Sequence, residues 1–344
     1  MGPEQRVLVV GPAWVGDMVM AQSLFITLRQ HMPGAKVDVL APGWSLPLLA
    51  RMPEVHEAVD LPVGHGELAL SARYAIGKQL RNKGYTQAII IPRSLKAALI
   101  PFFARIPRRT GYRGETRYGL VNDMRALDKS VLTKTVQRYV ALGRDARAPV
   151  PFAEIPQPQL TVDKNNQARL KEKLGISDSG PTAAFVPGAE YGPAKRWPSE
   201  YYAKLARLLT DAGYCIWLLG SANDSEVCKR IGEQSGGVTS DLSGKTSLVE
   251  TVDLIALTDF VVTNDSGLMH VAAAVGRPLL AIFGSSTPRY TPPLSSQAEI
   301  FYLDLDCSPC FERQCPLGHL NCLRQITVKA VYDTCVKIAH DRTR

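Results

Sequence analysis

Arg6-Val7-Leu8-Val9-Val10-Gly11-Pro12-Ala13-Trp14-Val15-Gly16-Asp17 decides how the rest of the chain reads. The run from Val7 to Val10 is short, apolar throughout and closed by a glycine, as in a strand buried on both faces of a parallel sheet. Beyond the loop, Ala21, Leu24, Phe25 and Leu28 recur at helical spacing until Pro33-Gly34 stops the helix. Working outward, residues 36–41 read as a second strand, 58–63 as a third, 68–83 as helical and 87–92 as a fourth strand. Strands alternating with helices require right-handed crossovers and therefore a parallel sheet.

Residues 146–159 hold four prolines and little periodicity, and serve as the linker. A charged helix follows over 162–178, and then the pattern restarts. Residues 183–187 read as a strand closed by Gly188, 199–212 as a helix and 215–220 as a strand. Helices over 225–234 and 248–256, strands over 260–263 and 279–284, and a last helix over 328–340 complete the second half. The expected fold class is α/β, with two doubly wound domains, 1–155 and 156–344. Their ligands are expected at the carboxyl ends of the strands, between the halves.

A chain of 344 residues with 45% hydrophobic and 21% charged residues is no disordered, collagen-like or small disulfide-stapled protein. The 40 Lys and Arg against 32 Asp and Glu leave a net charge of +8, which favours an anionic partner. No run of five basic residues and no nucleic-acid signature occurs, so nucleic acid is not expected; a phosphorylated sugar or a membrane surface is. Residues 97–104, the longest apolar run of the first half, are interrupted by Pro101 and too short to cross a bilayer. Residues 1–6 have no signal-peptide core, so a cytoplasmic location is expected. Seven cysteines in a reducing compartment are thiols or metal ligands before they are disulfides.

Five constellations carry chemistry. Asp17 falls near a helix N-terminus, where it acts either as an N-cap or as a carboxylate acidified by the helix dipole. The loop lacks G-x-G-x-x-G spacing, so a nicotinamide cofactor is not expected. The stretch Pro187-Gly188-Ala189-Glu190-Tyr191-Gly192-Pro193-Ala194-Lys195-Arg196-Trp197-Pro198 joins a strand to a helix with two adjacent cations, suited to a diphosphate or to plain solvation. Thr263-Asn264-Asp265-Ser266-Gly267-Leu268-Met269-His270 stands at a third strand-to-helix junction, with backbone N–H groups for phosphate and His270 as a donor or, if protonated, a charge. Cys307, Cys310, Cys315 and Cys322, with His319 between, leave structural metal, packed thiols and a redox role open. Cys215 is expected in the core, and Cys228 and Cys335 in helices. Ser94-Leu95-Lys96 with Arg105, Arg108, Arg109, Arg113 and Arg117 forms a basic cluster that is either a solvated face or a contact for an anionic acceptor.

Together these motifs resemble the ADP-heptose:lipopolysaccharide heptosyltransferases, glycosyltransferase family 9, over nearly the whole chain. The second motif stands in the form of the family's type II members. The resemblance implies a GT-B fold of two Rossmann-like domains, the first binding acceptor and the second ADP-heptose, with the closing helix free to pack back on the first. It implies an inverting transfer of L-glycero-D-manno-heptose onto the first heptose of heptosyl-Kdo2-lipid A, with no cofactor and no metal. Asp17 would be the general base. Glu190, Lys195, Asp265, Ser266, Gly267 and His270 would bind donor, with Asp265 facing the heptose and the amides of Ser266 and Gly267 facing phosphate. Ser94, Lys96 and Arg117 would bind acceptor. Gly220-Ser221-Ala222 replaces the ribose-binding Gly-Ala-Glu of type I members, which leaves Asp224 as a substitute. The basic surface would suit peripheral contact with the cytoplasmic face of the inner membrane. Heptosyltransferases of type I or III, another nucleotide-sugar GT-B transferase and a non-catalytic sugar-nucleotide or zinc-binding adaptor are the rival readings.

Overall fold

The computed structural model describes residues 5–342 except 65, 149, 151, 153 and 177–179; for 339–342 it describes the helix backbone alone. Part of the linker and the end of the helix expected to reach Asp178 therefore lie outside the described residues. The chain divides into two compact units, Met1–Pro158 and Gln159–Arg344.

The first unit runs β1 (Arg6–Val10), α1 (Val15–His31), β2 (Lys36–Ala41), α2 (Leu46–Leu49), β3 (Val55–Asp60), α3 (Leu70–Leu80), β4 (Gln87–Ile90), α4 (Leu95–Phe103), β5 (Arg108–Tyr112), β6 (Asp123–Arg125) and α5 (Thr135–Leu142). Its six strands are all parallel, in the order β3-β2-β1-β4-β5-β6. The strand expected over 58–63 begins three residues earlier. It is a half-buried strand at a sheet edge rather than an apolar run. Leu8, Val10, Ala88, Ile90 and Ile100 form a fully buried core beneath α3 and α4.

The second unit runs α6 (Lys164–Leu174), β7 (Thr182–Val186), α7 (Ser199–Asp211), β8 (Cys215–Leu218), α8 (Ser225–Ser235), β9 (Thr239–Asp241), α9 (Leu248–Ile255), β10 (Phe260–Asn264), α10 (Gly267–Ala274), β11 (Leu279–Ile282), β12 (Ala298–Phe301), α11 (Asn321–Arg324) and α12 (Val328–Arg342). Its six parallel strands take the order β12-β11-β10-β7-β8-β9, the same winding as the first sheet. α12 packs on α7 within this unit and places Val331 and Cys335 in its core beside Phe185, Tyr202 and Leu205. Cys228 is buried there too. Cys215, expected in the core, is half-buried at the first residue of β8.

In each sheet the chain reverses its winding beside the first strand: between β1 and β4, and between β7 and β10. The carboxyl ends of such strand pairs open a crevice, because the two outgoing loops diverge to opposite faces. The Gly11 and Arg93 loops leave the first crevice, and the Gly188 and Asp265 loops leave the second.

Candidate functional site

In the first unit, the Gly11 amide donates to Leu40 O at 2.9 Å, and the loop turns into α1. Trp14, not Asp17, holds the N-cap position, so the capping reading of Asp17 does not hold. Asp17 is the third helical residue, half-buried, and its Oδ1 accepts from Tyr139 Oη at 3.0 Å. Tyr139 comes from α5, which packs along α1. Burial, then the Asp17 carboxylate, pushes the Tyr139 hydroxyl far above its ordinary range. It therefore stays a proton donor and fixes the orientation of the acid. No sequence motif pointed to Tyr139, because its partnership with Asp17 spans 122 residues.

Beside this pair lies a cavity of about 900 Å3, lined by the Pro12-Ala13-Trp14 turn, Trp44, Ser94, Lys96, Arg138 and Tyr139. Arg93, Arg73 and Lys129 add to its rim, against the single carboxylate Glu115. Ser94 and Lys96, expected to contact acceptor, both line this cavity. Among the described residues, Lys96 has no hydrogen-bond or ion-pair partner.

Arg117 corrects that reading. It is 1% exposed, far from a surface cation. Its Nη1 donates to Pro92 O at 2.8 Å and Ser94 O at 3.3 Å, and its Nη2 to Tyr112 O at 2.5 Å. Burial, then neighbouring Arg93, lowers its pKa. The planar fork braces the Pro92–Ser94 turn from behind; Nε is buried without a partner, and the side chain reaches no solvent-facing surface.

In the second unit, Asn264 organises the loops. Its Nδ2 donates to Pro187 O at 2.7 Å, and its Oδ1 accepts from Trp197 N at 3.0 Å and Tyr202 Oη at 3.2 Å. The 3₁₀ turn Pro193–Lys195 is thereby held against β10. Lys195 Nζ and Ser286 Oγ both donate to Asp265 Oδ2, each at 2.5 Å. Asp265 is buried and Lys195 nearly so, with side-chain exposures of 6% and 18%. Asp265 was expected to face a sugar; the structure shows a contact not foreseen, in which it anchors the lysine. Ser286, the third member, follows β11 in a Ser285-Ser286-Thr287 run. That run repeats the small-polar signature seen after β10.

Ser266 caps α10 without a side-chain bond, so the amides of Gly267 and its successors start the helix. An N-terminus of this kind attracts anions. His270 lies one turn in, 5% exposed. Burial lowers its pKa to about 4, with Asp265 opposing and Lys195 assisting. His270 is therefore neutral near pH 7, and its expected service as a charge is set aside; one donor and one acceptor remain.

Glu190 is exposed and meets Asn223 Nδ2 at 3.5 Å. Asp224 Oδ2 accepts from Ser221 N at 2.9 Å and Ser221 Oγ at 2.8 Å, closing the turn before α8. Its Oδ1 presses so closely over Gly188 that a Cβ there would sit 2.1 Å away. The loop after β7 thus tolerates only glycine while Asp224 stands at the carboxyl end of β8. Gly192 meets the same limit for another reason: its φ is +152°, and a Cβ would lie 2.6 Å from Arg313 O.

Arg313 belongs to the cysteine-rich segment, which backs the Lys195 turn. Ala194 N donates to Arg313 O at 3.0 Å, and Tyr191 Oη donates to Phe311 O. Cys307, Cys310, Cys315, His319 and Cys322 line one cavity of about 20 Å3 beneath Ala194 and Ser285. Burial pushes Cys315 up, but the backbone N–H groups of Leu317, Gly318, His319 and Leu320 overcome it and hold the thiol below its ordinary value. Burial, then Cys307 and the other two thiols, raises Cys322 to about 11. All seven cysteines are free thiols. Among the described residues, the group with donor atoms within 4.8 Å of one another is Asp38, His56 and Glu57 rather than the cysteines. Arg6 and Lys83 already neutralise that group.

Two sheets of one winding, each with polar loops at its reversal point, have a counterpart among solved structures. One described as E. coli ADP-heptose lps heptosyltransferase II superposes with a TM-score of 0.86, at 42% identity, over 99% of this chain and 100% of that one. The fold is therefore that of the GT-B glycosyltransferases. Within that class the chain belongs to glycosyltransferase family 9 (heptosyltransferase), whose family model matches residues 73–321. It is 48% identical over 306 residues to lipopolysaccharide heptosyltransferase 2 of Escherichia coli K12, covering 87% of this chain and 88% of that protein. It is 48% identical over 308 residues to lipooligosaccharide heptosyltransferase 2 of Haemophilus influenzae, with the same coverages.

Proposed function

We propose that this enzyme transfers L-glycero-D-manno-heptose from its ADP-activated form onto the heptose of heptosyl-Kdo2-lipid A, inverting the anomeric centre. The observation that carries the reading is the 48% identity to type 2 relatives, sustained across both units. In this reading the donor diphosphate takes the α10 N-terminus and the Lys195 ammonium. These stabilise the charge that grows as ADP departs. Asp265 and Ser286 hold Lys195 in place, Ser266 and Gly267 offer amides, and neutral His270 gives a hydrogen bond. Glu190 and Asp224 stand near the nucleotide end.

Asp17 is the general base. The acceptor oxygen forms its bond to the anomeric carbon while the bond from that carbon to phosphate oxygen breaks, and ADP leaves with the electron pair. The proton passes to Asp17 late, once bond formation has acidified the hydroxyl. Tyr139 keeps the carboxylate aimed. Ser94 and Lys96 receive anionic groups of the acceptor, and Arg117 shapes their turn. The enzyme works in the cytoplasm, in peripheral contact with the inner membrane.

The test is an assay of the purified enzyme with ADP-heptose and Kdo2-lipid A bearing zero, one or two heptoses. The expected result is transfer onto the singly heptosylated acceptor. Preference for the heptose-free acceptor would reject this assignment.

A further inference from the structure

From Leu68 to Arg113 the chain carries ten Lys or Arg and no Asp or Glu. This acid-free stretch contains α3 and α4, which pack side by side. Their outer faces show large apolar side chains: Leu70 is 52% exposed, Tyr74 47% and Phe102 41%, and Leu68, just before α3, is 52% exposed. Leu70 and Tyr74 share a face of α3, four residues apart. Tyr74 meets Phe103 edge-on at 5.3 Å, and Phe103 meets Phe102 at 5.8 Å, so the patch is continuous across both helices. Guanidinium groups border it: Arg81 lies 5.9 Å from the Tyr74 ring centre and Arg109 5.7 Å from that of Phe102. Lys78 is exposed on α3 between them.

We propose that this face of α3 and α4 docks onto an anionic lipid surface. Apolar side chains bordered by cations, with no carboxylate within α3 or α4 and Glu67 just outside α3, match a bilayer of negative headgroups: the rings enter the interface while the cations remain at phosphate level. No described helix is long and apolar enough to cross a membrane, so surface attachment is the mode this patch can serve. The patch shares a helix with the candidate site, because α4 carries Phe102 near one end and Lys96 near the other. Lys96 lines the large cavity. The two positions are six residues apart, about 9 Å along the helix. A bilayer at Phe102 thus brings a lipid-borne, phosphorylated sugar to the cavity mouth. The inference rests on the reading that the acceptor is lipid-linked.

The test is cosedimentation of the full-length enzyme with vesicles of phosphatidylethanolamine and phosphatidylglycerol, beside neutral phosphatidylcholine vesicles. Binding is expected to the anionic vesicles and to be about tenfold or more weaker to the neutral ones. Lys78→Glu should weaken anionic-vesicle binding about tenfold. Leu70→Ser with Phe102→Ser should weaken it about tenfold or more, and abolish what survives high salt. All these side chains are exposed, so folding is unaffected; transfer onto a deacylated, water-soluble acceptor should stay within about twofold of wild type. Absence of vesicle binding, or binding insensitive to both variants, overturns the docking face. Vesicle binding that follows the variants, with no transfer to any heptose acceptor, instead overturns the proposed reaction and leaves the surface standing.

Discussion

Replacing Lys195 with Met separates a phosphate-binding lysine from a merely structural one. The ammonium sits 2.5 Å from Asp265 Oδ2, in a pair whose acid is 6% exposed and whose base is 18% exposed. Breaking a buried pair costs about 3–5 kcal/mol; here Ser286 still donates and the lysine was partly wet, so about 2–3 kcal/mol of stability should be lost. The effect on ADP has two parts of the same sign. One charge-assisted contact, worth about 1.5–3 kcal/mol, disappears. Asp265, no longer neutralised, then faces the diphosphate; at a separation of about 6 Å and an effective dielectric of about 20, two unit charges repel by roughly 3 kcal/mol before screening by salt. ADP affinity should therefore fall by about a hundredfold or more. Asp265→Asn removes the repulsion and also the charge that anchors Lys195, two effects of opposite sign, so bare ADP should bind within about tenfold of wild type. The double variant should recover about tenfold of what Lys195→Met loses. Titration calorimetry with ADP at fixed salt, beside thermal melts, gives every number. Folded Lys195→Met that binds ADP within about twofold of wild type would remove the lysine from the diphosphate site.

Asp17→Ala should abolish heptose transfer while leaving ADP-heptose affinity within about threefold, because the base meets acceptor rather than donor; substantial transfer by this variant would remove Asp17 from the mechanism. Arg117→Met should lower stability by about 2–3 kcal/mol in urea unfolding, since three carbonyls, that of Tyr112 fully buried, lose their donor, and Arg117→Lys should not restore it because an ammonium cannot span the fork. His270 has a folded pKa of about 4 against an ordinary 6.5. The unfolded chain therefore binds the proton more readily between these values, and this residue's stability contribution is whole above pH 6.5 and lost toward pH 4. The gap of about 2.5 units amounts to roughly 3 kcal/mol, so urea unfolding at pH 7 and pH 4.5 should differ by that order, and His270→Gln should flatten the difference.

Most interior strands were legible: β1, β4, β7, β8, β10 and β11 from short apolar runs and β2 despite Asp38, whereas β5 opens on Arg108-Arg109 and read as part of a basic cluster. Of the edge strands, β3 was read three residues late and β6, β9 and β12 were not read, because Asp123-Met124-Arg125, Thr239-Ser240-Asp241 and Ala298-Glu299-Ile300-Phe301 are short and mix polar with apolar residues. α4 was hidden by Pro101, which reads as a breaker although it sits near the end of a helix already nucleated from Leu95. The loops after the strands announced the candidate site, since glycine, Asp and Ser at a strand end have few other uses. The pairings inside it were not announced: Tyr139 on Asp17, Ser286 on Asp265 and Asn264 on Trp197 are long-range contacts set by topology. Arg117 was misread for the same reason, as a guanidinium looks alike in sequence whether it greets solvent or clasps three carbonyls.

Asp38, fully buried in β2, takes Arg6 Nε and Tyr85 Oη at 2.7 Å and His56 Nδ1 at 2.9 Å. Glu57 joins Arg6 at 2.9 Å and also pairs with Lys83. Every group in this knot lies at the amino ends of β1 to β4. The first sheet is thus clamped at its foot, opposite the rim where Asp17, Ser94 and Lys96 stand. A barrel stave nailed at one hoop behaves the same way: the rim loops can yield to an incoming molecule while strand register stays locked below. Loosening that clamp should blur the rim's geometry without touching a single residue that meets substrate.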